Sequence, residues 1–172
     1  GYNRAWIRDT IYETLGVEVV GDKKSVIKAM RALLDVLLKH EDKINWAIKE
    51  KPDARYKYIH ARYDPNTHEE IMGEWGNKQN DAIGAILFRV GELEEKGIKV
   101  IRNENDTRIL QKLVFYLKSV EYWQDADNGV WEENEEVHAS SVGACVAGLK
   151  KISKIVDVPI ELINHGKHTL KE

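Results

Sequence analysis

The stretch "NDAIGAILFRVGELEEKG", residues 80–97, indicates the fold class of this chain. Its apolar residues recur at the spacing of one helix face, and Gly97 follows as a helix-ending residue. This face consists of Ile83, Ile86, Leu87, Val90 and Leu93. The same spacing recurs in residues 22–50, 103–123 and 138–155, whereas regular strand alternation is weak. We therefore expect an all-α fold.

Turn-forming and capping residues mark where these helices should begin and end. A short first helix should close at Gly16, and the next, long helix should break near Glu41. The helix after Gly97 should be capped by Asp106 or Thr107. The proline-containing loop between the second and third helical segments is expected to hold a short hairpin near residues 56–73.

The composition is that of one globular domain. The 172 residues are 42% hydrophobic and 32% charged, which suffices for one buried core. The net charge is −3, and the basic residues are dispersed rather than gathered in a stripe that would bind nucleic acid. No apolar run approaches the roughly 18 residues of a membrane span. The single cysteine, Cys145, lies in an apolar helical stretch, which predicts a buried thiol and a reducing, cytoplasmic compartment.

Loops rich in Trp, Tyr, Asp and Glu precede alternate helices of this pattern. They lead into the helices near residues 10–15, 80–96 and 138–155, whereas the helices near 23–49 and 106–122 follow plain polar turns. A toroid of helical hairpins produces such alternation, because its inner helices run parallel and their preceding loops open at one end. Any antiparallel helical array alternates in the same way, so both interpretations stay open.

Tryptophan is concentrated in the same loops. Trp6, Trp75, Trp123 and Trp131 lie in or beside them, and Trp46 alone lies in an outer helical segment. Flat rings stack on the apolar faces of sugars, while carboxylates and guanidinium groups pair with sugar hydroxyls. This composition favours a carbohydrate site, although tryptophans that plug the end of a helical bundle would produce the same pattern.

The sequence "WEENEE", residues 131–136, places four glutamates just before the last inner helix. Crowded carboxylates repel one another unless they project into solvent, one of them is protonated, or a cationic or polyhydroxylated ligand lies among them. The stretch is therefore either a solvated loop or a site.

Three motifs in this chain resemble those of a known family. They are "AWIRDT" (5–10), "WGNKQNDAIGA" (75–85) and "NGVWEENEEVHASSVGA" (128–144). Their order and spacing are similar to the early active-site motifs of the family-15 glycoside hydrolases, the glucoamylases. They are closer still to the glucoamylase-like N-terminal domain of phosphorylase kinase alpha and beta subunits. The resemblance implies helical hairpins that form part of an (α/α)6 toroid. Residues 1–172 would then be a single all-helical domain, an incomplete barrel from a longer chain.

The resemblance also implies roles for individual residues. Glu132 matches the general acid of glucoamylases, which must be protonated at the working pH, and neighbouring carboxylates favour that form. The implied sugar-binding residues are Trp6, Arg8, Asp9, Arg62, Tyr63, Trp75, Gln79, Asp81, Trp131 and Glu133. Asp9 and Asp81 could instead cap helices, and His60 is expected to be structural.

Some positions depart from the glucoamylase pattern. Gly129 stands where glucoamylases usually carry an aspartate, and Asn77 and Lys78 stand where they usually carry arginine and proline. In addition, no residue here matches the second carboxylate, the base that activates water, which in glucoamylases precedes a late inner helix.

Two functions follow from the resemblance. The first is inverting hydrolysis of α-glucosides, with Glu132 as general acid and the base outside this chain. The second is a non-catalytic glucan-binding or regulatory module, as in the phosphorylase kinase subunits. Both imply an α-glucan partner, an oligo- or polysaccharide, and neither requires a cofactor or a metal.

A half barrel would also leave helix faces without neighbours. We expect these to be the inner faces built from Ile83, Leu87, Val142 and Val146. Exposed apolar faces of this kind predict self-association or contact with the remaining barrel segments.

Overall fold

The structure, a computed structural model, describes residues 4–71, 73, 76–132 and 134–171. Within these residues the chain forms seven α-helices and one small sheet. The helices are α1 (Ile7–Val19), α2 (Lys23–Lys39), α3 (Glu41–Lys49), α4 (Asn80–Glu95), α5 (Glu104–Val120), α6 (Ala139–Ile152) and α7 (Ile160–Thr169). The strands are β1 (Ala5–Trp6) and β2 (Arg62–Tyr63). The expected all-α fold is confirmed.

The helices are arranged as hairpins in two layers. Helix α1 packs on α2, α4 on α5, and α6 on α7. Helix α4 also lies between α1 and α6, while α2 and α3 both contact α5. The helices predicted to be inner ones therefore lie side by side, with the outer helices behind them.

Glycines bring α4 and α6 into backbone contact. A Cβ atom on Gly84 would lie 2.5 Å from the backbone carbonyl carbon of Ala144, and one on Gly91 would lie 3.0 Å from that of Lys151. Residue numbers thus increase in the same direction along the contact, so the two helices run parallel. Parallel inner helices place the loops that precede them at one end of the molecule, and this arrangement positions the site.

The long amphipathic segment breaks where the sequence predicted. Helix α2 ends at Lys39, α3 begins at Glu41, and His40 lies between them. The predicted apolar face of α2 is buried, with Val26, Met30, Leu33, Leu34 and Leu37 at 5% exposure or less. Asp22 caps this helix by accepting a hydrogen bond from the Ser25 amide at 3.1 Å.

Two helix-end predictions were wrong. Helix α1 passes through Gly16 and ends at Val19, and Gly21, with φ +86°, is the residue that takes the left-handed conformation after it. Helix α5 is capped by Asn103, whose side chain accepts from the Asn105 amide. The Asp106 carboxylate instead accepts from the backbone and guanidinium of Arg102.

Within the described residues, the predicted hairpin near residues 56–73 is present as a short antiparallel turn over residues 62–71, in which the Ile71 amide donates to the Arg62 carbonyl at 3.2 Å. Tyr63 bridges Glu70 in antiparallel sense, but strand β2 pairs with β1, with Ala5 opposite Tyr63. The sequence did not indicate this pairing, because β1 is two residues long and has no alternation of its own.

The prediction for the inner faces was also wrong in its residues. Ile83, Leu87, Val142 and Val146 are all buried within the chain, at 5% exposure or less. The exposed apolar side chains on this side are Tyr12, Leu15 and Phe88, which line an open groove of about 260 Å³ with Ala144 and Ala147. Self-association stays a prediction.

The described helices include none with the length and apolar character needed to cross a membrane. The final segment forms α7 directly after Pro159, which precedes the first helical residue.

Candidate active site

Arg8 belongs to the first sequence motif and contacts residues of the other two. It lies in the first turn of α1 and is 6% exposed. Its Nη1 atom donates to Oε1 of Gln79 and to Oδ2 of Asp81, both at 3.0 Å. Its Nη2 atom lies 3.4 Å from Oε1 of Glu132. The structure therefore brings Arg8, Gln79, Asp81 and Glu132 into one cluster at the end where α1 and α4 begin.

The same guanidinium holds the backbone of the acidic loop. Nη1 donates to the carbonyl of Gly129 at 3.4 Å and Nη2 to that of Val130 at 3.3 Å. Arg8 thus contacts five oxygens from α4, the residue before it, and the loop that carries Glu132. Its planar fork suits such multiple contacts, which a lysine could not reproduce.

Gln79 also binds the Glu132 carboxylate. Its Nε2 atom donates to Oε1 of Glu132 at 2.6 Å and to the carbonyl of Gly76 at 2.8 Å. Gln79 occupies the N-cap position of α4, yet its side chain makes no capping bond. Its side chain is used to orient Glu132, and Oε1 of Glu132 receives donors from both Gln79 and Arg8.

Glu132 has a backbone conformation that side chains rarely adopt. Its φ angle is +59°, and its amide donates to the carbonyl of Asn128 at 3.0 Å. A non-glycine residue in this region is strained, and such strain concentrates at functional sites.

Gly129 also takes a left-handed conformation, with φ +57°. A Cβ atom there would lie 2.7 Å from Cδ2 of His138. The departure from the glucoamylase pattern at this position therefore has a physical reason, since the His138 ring occupies the space that an aspartate side chain would need.

Asp127 closes the base of the acidic loop. It is fully buried, accepts the amide of Asn80 at 2.8 Å, and accepts the hydroxyl of Ser141 at 3.0 Å. Its backbone exchanges two hydrogen bonds with Glu136, at 2.9 and 3.0 Å. Burial raises the pKa of Asp127 to about 6. Sequence reasoning missed this residue, and the available signal was that Gln79 is a poor N-cap, so the α4 amides needed an acceptor from elsewhere.

Lys78 belongs to the support beneath the site. Its ammonium lies 2.9 Å from Oδ1 of Asp125 and 4.2 Å from the centre of the Tyr58 ring. Oδ2 of Asp125 accepts from the side-chain amide of Asn80 at 2.9 Å. Lys78 is buried in this ion pair, so its departure from the family pattern is structural.

Neither aspartate that was considered as a helix cap has that role. The N-cap of α1 is Trp6, with no side-chain capping bond, and Asp9 follows in the first turn as an exposed residue. Asp81 lies in the first turn of α4 and pairs with Arg8. The Oδ1 atom of Asp81 is buried and has no hydrogen-bond donor among the described residues.

Three of the remaining predicted residues are at least partly accessible. Asp9 and Trp6 line an open depression of about 480 Å³ on the first turns of α1. Trp131 is 80% exposed. Trp75 and Glu133 lie outside the described residues, so the structure does not address their predicted roles.

Arg62 and Tyr63 are buried instead. The Arg62 guanidinium lies 5.9 Å from the centre of the Trp6 ring. Tyr63 is 2% exposed, with its ring beside those of His40 and His60. Tyr63 thus packs inside the chain at strand β2, and its contact with sugar stays a prediction.

His60 and Trp123 are structural. His60 accepts the Arg62 amide at Nδ1, and burial lowers its pKa to about 4. Trp123 stacks on His165 with 4.5 Å between ring centres, as expected for a ring that plugs the bundle end. Cys145 is buried as predicted, and its thiol donates to the Asn80 carbonyl at 3.2 Å. Within the described residues, no three His, Cys, Asp or Glu side chains are grouped to hold a metal ion.

Comparison with known proteins identifies relatives across most of this chain. It is 29% identical over 178 aligned residues to the phosphorylase b kinase regulatory subunit alpha, skeletal muscle isoform, of Oryctolagus cuniculus, a match that covers 88% of this chain and 14% of the relative. It is 26% identical to the probable phosphorylase b kinase regulatory subunit alpha of Caenorhabditis elegans, over 78% of this chain and 11% of that protein. The chain thus spans about one seventh of the length of these relatives or less.

Solved structures of glycosidases share the fold. A wild-type glycosidase superimposes with a TM-score of 0.73 and 20% identity, over 98% of this chain and 45% of that one. A glucoamylase from Saccharomycopsis fibuligera superimposes with a TM-score of 0.56 and 19% identity, over 99% of this chain and 37% of the other. The hairpins of this chain accordingly form part of an (α/α)6 toroid.

A family model described as "Glycosyl hydrolases family 15" matches residues 1–158. Because this match includes all three motifs and every helix from α1 to α6, the chain belongs to glycosyl hydrolases family 15.

Proposed function

We propose that the protein containing this chain is a glycoside hydrolase of glucoamylase type. It would hydrolyse α-glucosides with inversion, and Glu132 would be its general acid. The observation that carries this proposal is the position of Glu132, in a strained backbone conformation with Oε1 between donors from Arg8 and Gln79. Such preorganisation of one carboxylate is typical of catalytic sites.

In this mechanism Glu132 protonates the glycosidic oxygen as the bond to the sugar breaks. A second carboxylate activates water on the opposite face, roughly 6.5–9.5 Å from the acid in inverting enzymes. We place this base outside residues 1–172. The chain covers 45% of the wild-type glycosidase with which it superimposes, and we treat residues 1–172 as an incomplete barrel.

The sugar would contact the accessible groups of the cluster. The exposed carboxylate of Asp9 lies beside the partly buried ring of Trp6. Contact of sugar with Asp81 stays a prediction, because the Oδ1 atom of Asp81 is buried. Arg8 already contacts five oxygens of the protein, so we assign it to orienting Glu132 and Asp81. Its direct contact with sugar stays a prediction, as do the contacts of Arg62, Trp75, Trp131 and Glu133.

A second function is favoured by a different observation. The curated relatives are named regulatory subunits, and one of them is 29% identical across 88% of this chain. The alternative is therefore a non-catalytic module that binds α-glucan, or a regulatory module that contacts other subunits. Its site would keep Asp9 and Asp81 for ligand binding without turnover.

Glucose release from α-linked glucosides, with the anomer followed by NMR, tests the first proposal on the complete protein. We expect initial release of the β-anomer. Glu132→Gln keeps the shape but removes the acid proton, so turnover should fall about 10²–10⁴-fold while sugar binding survives. Glu135→Gln is the matched control, because Glu135 lies in the same loop and pairs with Arg55 at the surface. It should leave turnover within about two-fold of wild type.

Calorimetric titration with maltooligosaccharides separates the two functions. A wild-type protein that binds oligosaccharide but cleaves none of the glucosides would refute the hydrolase and support the binding module. Equal turnover in Glu132→Gln and wild type would refute the assignment of the acid.

A further inference from the structure

The base of the loop that carries Glu132 is held to α4 and α6 by a buried carboxylate, that of Asp127. Asp127 accepts the amide of Asn80 at the start of α4 and the hydroxyl of Ser141 in α6. Its backbone pairs with Glu136, so residues 127–136 form a loop that is closed at its base. Glu132 lies at the far side of this loop, where Arg8 and Gln79 hold it.

This carboxylate is buried without an ion pair. The cations nearest in this region have other partners, since Lys78 pairs with Asp125, and Arg8 with Asp81 and Glu132. No ion pair joins Asp127 to a cation within the part of the chain that the structure describes. A buried charge held only by an amide and a hydroxyl is costly to retain, which favours a role beyond stability.

We infer that Asp127 is a positioning residue for Glu132, and that protonation of Asp127 moves the loop relative to Arg8 and Gln79. The ionised carboxylate accepts from the amide of α4 and the hydroxyl of α6 at the same time. A carboxyl protonated at Oδ1 can donate to the Ser141 hydroxyl instead of accepting from it, but the Asn80 amide then bonds to a neutral acceptor. The loss of charge weakens this amide bond, so the protonated carboxyl holds the start of α4 less firmly. The consequence for catalysis rests on the proposed function, but the movement of the loop does not.

Burial and the neighbouring charged groups set the pKa of Asp127. From α4, the Asp81 carboxylate raises the pKa of Asp127, and from the start of α6 the His138 ring lowers it. The Cys145 thiol of α6 and the carboxylates of Asp125 and Glu136 are the other titratable groups around it. Burial outweighs the hydrogen bonds from Asn80 and Ser141, so the carboxyl titrates within reach of mildly acidic conditions.

An NMR titration of the wild-type chain between pH 4 and 8 tests the inference. The side-chain carboxyl of Asp127 and the amides of Glu132 and Glu136 are followed together. We expect the Glu132 amide to shift with the same midpoint as the Asp127 carboxyl, and this transition to disappear in Asp127→Asn. Asp22→Asn is the matched control, since Asp22 also caps a helix but lies on α2, away from the loop. It should keep the transition.

Ser141→Ala provides a second test if Asp127→Asn does not fold. Removing this hydroxyl deletes a hydrogen bond that lowers the pKa of Asp127, so both midpoints should rise together. The inference would be overturned if the Glu132 amide shift showed no transition at the midpoint of Asp127, or if it kept that transition in Asp127→Asn.

Turnover of the complete protein distinguishes this inference from the proposed function. If wild type hydrolyses α-glucosides, its kcat should change as the pH falls through the midpoint of Asp127. Asp127→Asn should abolish this change, and Asp22→Asn should keep it. If wild type hydrolyses nothing, the proposed function fails, while the NMR midpoints still decide whether Asp127 positions Glu132.

Discussion

Arg8 and Glu132 are 124 positions apart in the sequence, and the guanidinium Nη2 of Arg8 lies 3.4 Å from Oε1 of Glu132. Arg8 is buried and Glu132 is half-buried, at 6% and 13% side-chain exposure. It connects the first turn of α1 with the loop before α6, and Asp81 of α4 pairs with the same guanidinium. This one contact therefore organises the candidate site from three parts of the chain.

Arg8→Met should destabilise the chain strongly. The substitution leaves the buried carboxylate of Asp81 and the half-buried one of Glu132 without their cation, and breaking the buried Arg8–Asp81 pair costs about 3–5 kcal/mol. The free energy of unfolding of Arg8→Lys should lie between those of wild type and Arg8→Met, because lysine keeps the charge but not the planar guanidinium that contacts five oxygens. Urea denaturation measures the free energy of unfolding.

Arg108→Met is the control for this prediction. Arg108 forms a two-nitrogen contact with Glu41, but on the surface between α5 and α3. We expect little change in the unfolding midpoint, because solvent screens exposed pairs. Equal losses in Arg8→Met and Arg108→Met would contradict the role of burial.

Gly129→Ala should be destabilising for two separable reasons. The substituted residue must hold φ at +57°, and its Cβ atom would meet the His138 ring at 2.7 Å. Together we expect a loss of about 2–4 kcal/mol in thermal or urea unfolding.

Two further variants separate these reasons. At Gly21, φ is +86° but no atom lies within 4 Å of the Cβ position, so Gly21→Ala should lower the free energy of unfolding by only about 1 kcal/mol. Adding His138→Ala to Gly129→Ala should recover the part due to the clash. No recovery in the double variant would show that the His138 ring is not the obstacle.

Gly148→Ala should separate α4 from α6. A Cβ atom on Gly148 would lie 2.3 Å from the carbonyl oxygen of Gly84, which is backbone and cannot move aside. We expect a loss of about 3 kcal/mol or more, measured by urea denaturation. Gly143→Ala is the matched control in the same helix, because nothing lies within 4 Å of its Cβ position. It should stabilise α6 by about 0.5–1 kcal/mol, and a loss there comparable to Gly148→Ala would rule out close packing as the cause.

Two buried groups should make stability depend on pH in opposite directions. Burial lowers the pKa of His60 from 6.5 to about 4, so its contribution is present above pH 6.5 and is lost as the pH falls toward 4. Burial raises the pKa of Asp127 from 3.8 to about 6, so the folded chain binds the extra proton and stability is lost as the pH rises through that range. Each effect is about 3 kcal/mol, and the two should offset each other in wild type.

Single substitutions should reveal how each group makes the free energy of unfolding depend on pH. Relative to wild type, Asp127→Asn should lose stability as the pH falls from 6.5 to 4, because the His60 effect is no longer offset. His60→Gln should instead gain stability, relative to wild type, as the pH falls from about 6 to 4. Urea denaturation at closely spaced pH values measures both differences. Parallel curves for wild type and both variants would show that neither group titrates in this window.

The helices were predictable because their signal is local. The apolar spacing of residues 80–97 needs only neighbours three and four positions away, and α4 occupies that stretch with Gly97 just after its end. The break between α2 and α3 was predictable for the same reason. Ends were harder, as Gly16 shows, since packing of α1 on α2 and α4 carries the helix past a residue that often ends one.

Part of the site was predictable from motif order. Arg8, Gln79, Asp81 and Glu132 were all singled out from the sequence, and the structure places them in contact. The interpretation of Asp9 and Asp81 as helix caps was wrong, because capping depends on whether the side chain turns back toward the helix amides. Here Asp81 turns toward Arg8 instead.

The sequence by itself determined the all-α class, the approximate positions of α1 to α6, and the family to which the motifs belong, because each of these depends on residues close together along the chain. Only the tertiary structure decided that Asp127 caps α4 from 47 positions away, that His138 fills the space beside Gly129, and that Arg8 is engaged by five oxygens. Each of these contacts joins segments whose approach depends on the parallel packing of α4 on α6 and of α1 on α4. No local pattern encodes that packing, so it became visible only when the chain was folded.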